Sequence, residues 1–127
     1  MLILCFDVST ISTGYSVLDE KGNLKRRFLG KIEAKKSLTL IEKLSLFRKV
    51  VRELLIKIRP NIVIVEDIFY SRNIVSYKSL AMFHGVLFSE VEEILGITPI
   101  HLSAAEARAI LGVKSKEGAF EFIKNKY

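Results

Sequence analysis

Two short apolar stretches of this chain each end in a carboxylate, and together they limit the folds that it can adopt. The first covers residues 2–6 and is followed by Asp7, and the second covers residues 62–65 and is followed by Glu66. Both are short and apolar, and the second consists of β-branched residues, so they predict buried strands. A carboxylate at the end of a buried strand is costly to desolvate unless it is paired or binds a metal ion. The two stretches therefore predict acidic metal ligands in a small α/β domain, an arrangement that suits metal-assisted phosphodiester chemistry.

The periodicity of the whole chain predicts the element order βββαβαβα. The predicted elements are strands at 2–8, 15–18, 24–32, 62–65 and 97–102, long helices at 40–58 and 76–95, and two short helices starting near residues 104 and 115. The strand at 62–65 lacks polar alternation, so we expect both of its faces to be covered. Three antiparallel strands followed by two helical crossovers make a five-stranded mixed sheet with helices on both faces. In that sheet the first and fourth strands can be central neighbours, which would bring Asp7 and Glu66 together at one edge.

Length and composition bound the class of protein. The chain has 127 residues, half of them hydrophobic and only two of them proline, which predicts one folded domain over residues 1–127. The lone Cys5 rules out a disulfide scaffold and indicates a packed thiol in a reducing compartment, so we expect a cytoplasmic location. No apolar run approaches the ~20 residues of a membrane-spanning helix, and we expect no membrane association.

The positive charge is concentrated in the first half of the chain. Residues 1–60 contain 13 Lys or Arg against 6 Asp or Glu, whereas residues 61–127 contain 7 against 8. The basic residues of the first half include Lys25, Arg26 and Arg27, followed by Lys31, Lys35 and Lys36. This distribution favours a polyanionic partner, although a solvated basic surface accounts for the charge equally well.

Four motifs follow one another along the chain. They are DVSTISTGYS at 7–16, VEDIFYSRN at 65–73, LAMFHGV at 80–86, and EARAILG at 106–112 with SKE at 115–117. In order and spacing they resemble RuvC-type Holliday junction resolvases, a family of the RNase H-like superfamily, over essentially the whole chain. The resemblance implies an RNase H-like fold and a structure-selective endodeoxyribonuclease of DNA recombination and repair. Such an enzyme would resolve four-way junctions by paired, symmetric nicks, with Mg²⁺ or Mn²⁺ as its cofactor.

The resemblance also implies roles for individual residues. Asp7 and Glu66 would be the catalytic carboxylates and the metal ligands. Asp67 points away from Glu66 by the strand period, so we interpret it as structural. The predicted DNA contacts are Phe69, Tyr70, Arg72, Asn73, Lys78, Lys114 and Lys116. The two aromatic residues would stack on bases and the polar ones would contact phosphates, but loop packing and an ordinary polar surface are competing interpretations.

The helix at 76–95 is the predicted dimer interface. Its apolar residues Met82, Phe83, Leu87 and Phe88 are spread broadly around the helix, more than one sheet face requires. The family dimerises through this helix, so the resemblance implies a homodimer, and burial within the monomer is the alternative. His84 lies in mid-helix without the ligand spacing of a zinc site, and we expect it to be packed.

The chain departs from the family pattern in two places. Val8 and Ser9 replace a more usual Pro-Gly or Pro-Ser, a change that bears on the turn. The family's final helix carries one or two further metal-binding Asp residues, and this sequence stops at Tyr127 before it. We therefore expect a C-terminally truncated domain. Three alternatives stay open, namely a catalytically weak or inactive junction-binding domain, an RNase H-like nuclease acting on RNA, and a fragment of an actin-like ATPase.

Overall fold

The predicted element order is present in the computed structural model of the chain. The structure describes residues 1–68, 73–112 and 115–126. Within the last two helices it describes only the backbone of residues 107, 108, 110, 111, 116, 119 and 120. The strands are β1 (Leu2–Asp7), β2 (Ser12–Asp19), β3 (Gly30–Glu33), β4 (Ile62–Glu66) and β5 (Ile100–Leu102). The helices are α1 (Leu40–Ile58), α2 (Ile74–Leu95), α3 (Ala104–Leu111) and α4 (Lys116–Lys126). No helix in these ranges is long and apolar enough to span a membrane.

The strands form one five-stranded mixed sheet in the order β3-β2-β1-β4-β5. β1 lies at its centre, antiparallel to β2 and parallel to β4. The register with β4 starts at the pair Ile3–Ile62 and reaches the pair Phe6–Val65. The predicted fold class and the predicted pairing of the first and fourth strands are therefore confirmed.

Both long helices pack on the same face of the sheet. Alternate strand residues point to that face, because side chains of a strand alternate between its two sides. The buried core consists of Leu4, Phe6, Val17, Ile32, Val63 and Val65 from the sheet, Val8 just after β1, Phe47, Val51, Leu55 and Ile58 from α1, and Phe83, Leu87 and Val91 from α2. This face carries most of the apolar burial of the described residues.

A buried carboxylate joins the two long helices. Glu90 of α2 is only 3% exposed, and its two oxygens accept hydrogen bonds from the Nε–H groups of Arg48 and Arg52 over 2.9 and 3.0 Å. A buried charge is tolerated when it is paired and hydrogen-bonded in this way. The pairing fixes the position of α2 along α1.

The other face of the sheet is only partly covered, so the prediction that the strand at 62–65 is covered on both sides is wrong. Ile62 and Ile64 are half-buried on this face, whereas Val63 and Val65 on the helical face are buried. Here α4 contributes Phe122 and Ile123 to an apolar groove of about 980 Å³, which the β2 residues Ser16 and Leu18 also line. An unbroken apolar run does not reveal that one side of the strand is only partly covered.

The predicted strand at 24–32 is also wrong over its first half. Leu24 forms an isolated bridge with Leu18, a 3₁₀ turn follows over Arg26–Phe28, and only Gly30–Glu33 is a strand. In a continuous strand Arg26 would share the core-facing side with Phe28 and Ile32. The turn lets Phe28 pack against the core while Arg26 stays exposed.

Candidate metal and nucleic-acid site

Asp7 and Glu66 end the two neighbouring parallel strands at the centre of the sheet. They follow directly after the paired residues Phe6 and Val65, so they are the next two positions of the same register. Neighbouring strands lie about 4.8 Å apart, and residues at matching positions of parallel strands point to the same face. Both carboxylates therefore lie on the partly covered face, where Asp7 is exposed and Glu66 is half-buried.

The turn after Asp7 is closed by side-chain hydrogen bonds. The buried Thr13 hydroxyl donates to the backbone oxygen of Ser9 over 2.9 Å, and its oxygen accepts from the Ser9 backbone N–H over 3.1 Å. The Ser9 hydroxyl oxygen in turn accepts from the backbone N–H of Ile11 over 3.3 Å. These bonds hold the chain as it leaves β1, so the Ser9 and Thr13 side chains shape the turn.

The two carboxylates suit a hard divalent cation. Mg²⁺ prefers carboxylate oxygens, often uses only one or two of them, and keeps several waters. Over the described ranges, the Asp7 side chain has no hydrogen bond or salt bridge that would compete for a metal ion. Within the same ranges no group of three His, Cys, Asp or Glu side chains is placed to hold a metal. The donor set of the described residues therefore fits an ion held by Asp7 and Glu66 and completed by water.

Asp67 lies beside Glu66 but belongs to the other side of the sheet. Its carboxylate accepts a hydrogen bond from the backbone N–H of Ile68 over 2.9 Å, and its own backbone N–H donates to Leu102 over 2.8 Å. Its negative charge acts to raise the pKa of His84 in α2, and that helix packs on the helical face. These contacts support the structural role expected for Asp67.

An aromatic cluster of two histidines and a phenylalanine lies on the helical face near β5. The ring centroids of Phe88 and His101 are 4.6 Å apart, and those of His84 and His101 are 6.3 Å apart. His84 is 6% exposed, which confirms that it is packed. Burial lowers the pKa of His84 below its ordinary value, His101 lowers it further, and Asp67 opposes the shift. Periodicity could not detect this pair, because it joins a helix to an edge strand.

We expect the His84 environment to make the protein less stable in mild acid. Because the pKa of His84 is lower in the folded chain, the unfolded chain takes up this proton first as the pH falls. The contribution of neutral His84 to the free energy of unfolding is complete above about pH 6.5, the pKa of histidine in the unfolded chain, and it declines below that pH. Urea unfolding at several pH values from 7.5 to 5.5 measures this decline, which should be smaller in His84→Gln. Equal declines in both proteins would contradict the assignment to His84.

The predicted DNA contacts are described only in part. Asn73 caps α2, where its side-chain oxygen accepts from the backbone N–H of Ser76 over 3.2 Å, and Lys78 is exposed in the second turn of that helix. Phe69, Tyr70, Arg72 and Lys114 lie outside the described residues, and so does the side chain of Lys116, although its backbone begins α4. The roles predicted for these residues stay predictions.

The apolar residues of α2 divide between the core and the surface. Phe83 and Leu87 are buried within the monomer, so they cannot form the predicted dimer interface and that part of the prediction is wrong. Met82 is 42% exposed, and Ile74 and Val75 are exposed at the start of the helix. The apolar surface of α2 available to a partner is therefore smaller than the sequence suggested.

Comparison with known proteins adds a family and a fold. A family model described as crossover junction endodeoxyribonuclease RuvC matches residues 3–118. Among solved structures, Thermus thermophilus RuvC in complex with Holliday junction substrate has a TM-score of 0.85 at 19% identity, covering 98% of this chain and 78% of that chain. A second Thermus thermophilus RuvC structure has a TM-score of 0.80 at 19% identity, with coverage of 98% and 79%.

A more distant structure has the same fold. The yeast mitochondrial Holliday junction resolvase Ydc2 has a TM-score of 0.65 at 14% identity, covering 98% of this chain and 61% of that chain. No curated protein sequence matches the chain significantly. At these identities the structural likeness supports the fold, and the family model carries the assignment to a family.

Proposed function

Because this chain belongs to the RuvC family of crossover junction endodeoxyribonucleases, and is thus a junction-resolving hydrolase, we propose that Asp7 and Glu66 are its catalytic carboxylates and a four-way DNA junction its substrate. One observation carries the proposal: these two acids end neighbouring parallel strands and lie on the same face of the sheet. We further propose that residues 1–127 act as one domain. A DNA substrate and the unpaired Cys5 thiol fit a cytoplasmic location.

The proposed cofactor is Mg²⁺ or Mn²⁺, held by Asp7 and Glu66. When bound, the ion would neutralise charge on the scissile phosphate and lower the pKa of an attacking water. Asp7 presents an exposed carboxylate at the strand end, and the hydrogen-bonded turn of Ser9 and Thr13 holds the backbone that follows it. Glu66 is half-buried beside it.

Several positive groups near the carboxylates support a phosphate-binding edge. Both α1 and α2 begin on the side of the sheet where β3 and β4 end, and the first turn of a helix carries partial positive charge. The exposed residues Lys35 and Lys36 lie between β3 and α1 at this edge, and Lys78 follows the start of α2. We propose that these groups contact backbone phosphates. Phe69, Tyr70, Arg72, Asn73, Lys114 and Lys116 are proposed contacts on the family resemblance.

Paired symmetric nicks require two active sites, so we propose a homodimer through α2. A two-fold dimer would match the symmetry of a four-way junction. The exposed Ala81, Met82 and Gly85 form a strip of small and apolar side chains along α2, and they support an interface there.

The experiment is cleavage of a four-way DNA junction labelled on each strand in turn, with Mg²⁺ or Mn²⁺ and with chelator as the control. We expect nicks at symmetric positions in two opposing strands, an intact linear duplex, and no product with chelator. A plasmid that extrudes a cruciform tests pairing, because two nicks in one encounter give linear DNA and unpaired nicks give open circles. Preferential cleavage of an RNA junction would contradict the proposed substrate.

A second candidate is a catalytically weak domain that binds junctions. Among the described residues, no group of three metal-ligating side chains is present, and this favours the second candidate. Junction binding without nicking, in either metal, would support this candidate over the nuclease.

A further inference from the structure

A group of basic residues gathers around the ring of Phe28, away from the carboxylates. We call it the Phe28 basic cluster, and it consists of Lys25, Arg26, Arg27 and Lys57. The guanidinium carbon of Arg27 is 4.7 Å from the Phe28 ring centroid, and the Lys57 Nζ atom is 6.0 Å from the same centroid. Arg27 and Lys57 are 30 positions apart in the sequence, so the fold itself brings their charges together.

The cluster lies toward the opposite end of the sheet from Asp7. Lys57 is in the last turn of α1, and the chain then returns to the start of β1, where the Asn61 backbone N–H donates to Leu2 over 2.9 Å. The side chain of Leu2 lines the same cavity as the basic residues. Phe28 packs against the core on the helical face of the sheet, whereas the two carboxylates lie on the other face. The cluster is therefore separate from the carboxylate edge.

Two positive charges of the cluster have no carboxylate partner among the described residues. Lys25 forms a salt bridge with Asp19 at 3.7 Å, but no described carboxylate forms one with Arg27 or Lys57. An aromatic ring face attracts both cations, yet it offsets little of the repulsion between them at an exposed site. An anion between them would offset far more. Lys25, Arg26 and Arg27 also line a cavity of about 460 Å³ with Leu2, Leu24 and Phe28, which is large enough for a sugar-phosphate unit.

We propose that the Phe28 basic cluster binds backbone phosphates on an arm of the DNA junction, away from the nicked position. Duplex DNA is favoured over an acidic peptide as the occupant, because the proposed substrate brings arms with regularly spaced phosphate charges to this protein. The inference rests on the proposed function, since it assumes that a junction binds at the carboxylate edge.

The test compares two charge reversals of equal size, Arg27→Glu in the cluster and Lys49→Glu on the exposed surface of α1. Junction affinity is measured without divalent metal between 50 and 200 mM salt. We expect Arg27→Glu to weaken binding about tenfold and to reduce the slope of log K against log salt by about one. Lys49→Glu should stay within about twofold of wild type. The nicking rate at saturating junction should be unchanged in both variants.

Lys57→Glu provides a second variant if Arg27→Glu does not fold, and it should give the same loss of affinity and slope. Hydroxyl-radical footprinting should show protection of an arm away from the nick in wild type and loss of that protection in the cluster variants. Equal binding by the cluster variants and Lys49→Glu would overturn the inference while leaving the nuclease proposal intact. Failure of the wild-type chain to bind a junction would instead overturn the proposed function.

Discussion

Replacing Asp7 by Asn lowers the rate of junction nicking by at least about 10³-fold and leaves junction binding in place. A metal ligand contributes several kcal/mol of transition-state stabilisation, and each 1.36 kcal/mol is a factor of ten in rate. The exchange of a carboxylate for an amide keeps the size of the side chain, and Asp7 is exposed, so the fold should not change. Binding should hold or tighten, because the variant removes one negative charge from a phosphate-binding edge.

Asp67→Asn is the matched control for this experiment. It makes the same chemical change beside the other carboxylate, but its side chain belongs to the opposite face of the sheet. We expect its nicking rate to stay within about threefold of wild type, since it alters neither metal ligand. Single-turnover nicking of a labelled junction, with affinity measured separately, distinguishes the two variants. Equal losses in both, or an active Asp7→Asn protein, would contradict the assignment of Asp7.

Replacing Phe83 by Ala reduces the free energy of unfolding by about 3–5 kcal/mol. Phe83 is 2% exposed, and its ring packs against Phe47 of α1 with centroids 4.9 Å apart. Truncation would leave a cavity between the two long helices, because the close-packed core around it can relax only in part. The loss is large compared with the 5–15 kcal/mol that stabilises a typical domain.

Met82→Ala is the control for Phe83→Ala, since the Met82 side chain is 42% exposed and so buries less of its apolar surface than Phe83. We expect it to change the free energy of unfolding by less than about 1 kcal/mol in the monomer. Urea unfolding monitored by circular dichroism measures both variants under identical conditions. Comparable losses from the two substitutions would mean that Met82 is buried in solution, for example in a dimer.

The central architecture could be predicted because local patterns and topology agree there. The apolar period of α1 and its Pro60 boundary indicate a helix that ends at Ile58, which is where it ends. The crossover rule then makes β1 and β4 neighbours, and it brings Asp7 and Glu66 to the same edge. These features depend on spacing within short segments, which a sequence displays directly.

The missed features depend on contacts between distant segments. The 3₁₀ turn at Arg26–Phe28 is favoured by packing of Phe28 on the core, and β-strand alternation carries no sign of it. The Phe28 basic cluster needs Lys57 from α1, and the packing of His84 needs His101 from β5. Each partner is an ordinary residue in its own segment, so only the three-dimensional arrangement gives it a role.

The packing of both long helices on one side of the sheet has a consequence for how such an enzyme changes over generations. Folding depends mainly on one layer of side chains, while the acids proposed for chemistry project from the opposite layer. A substitution that alters substrate handling therefore removes little of the apolar burial that keeps the chain folded. Natural selection can adjust the reactive side in small steps, without a compensating change in the interior for every step.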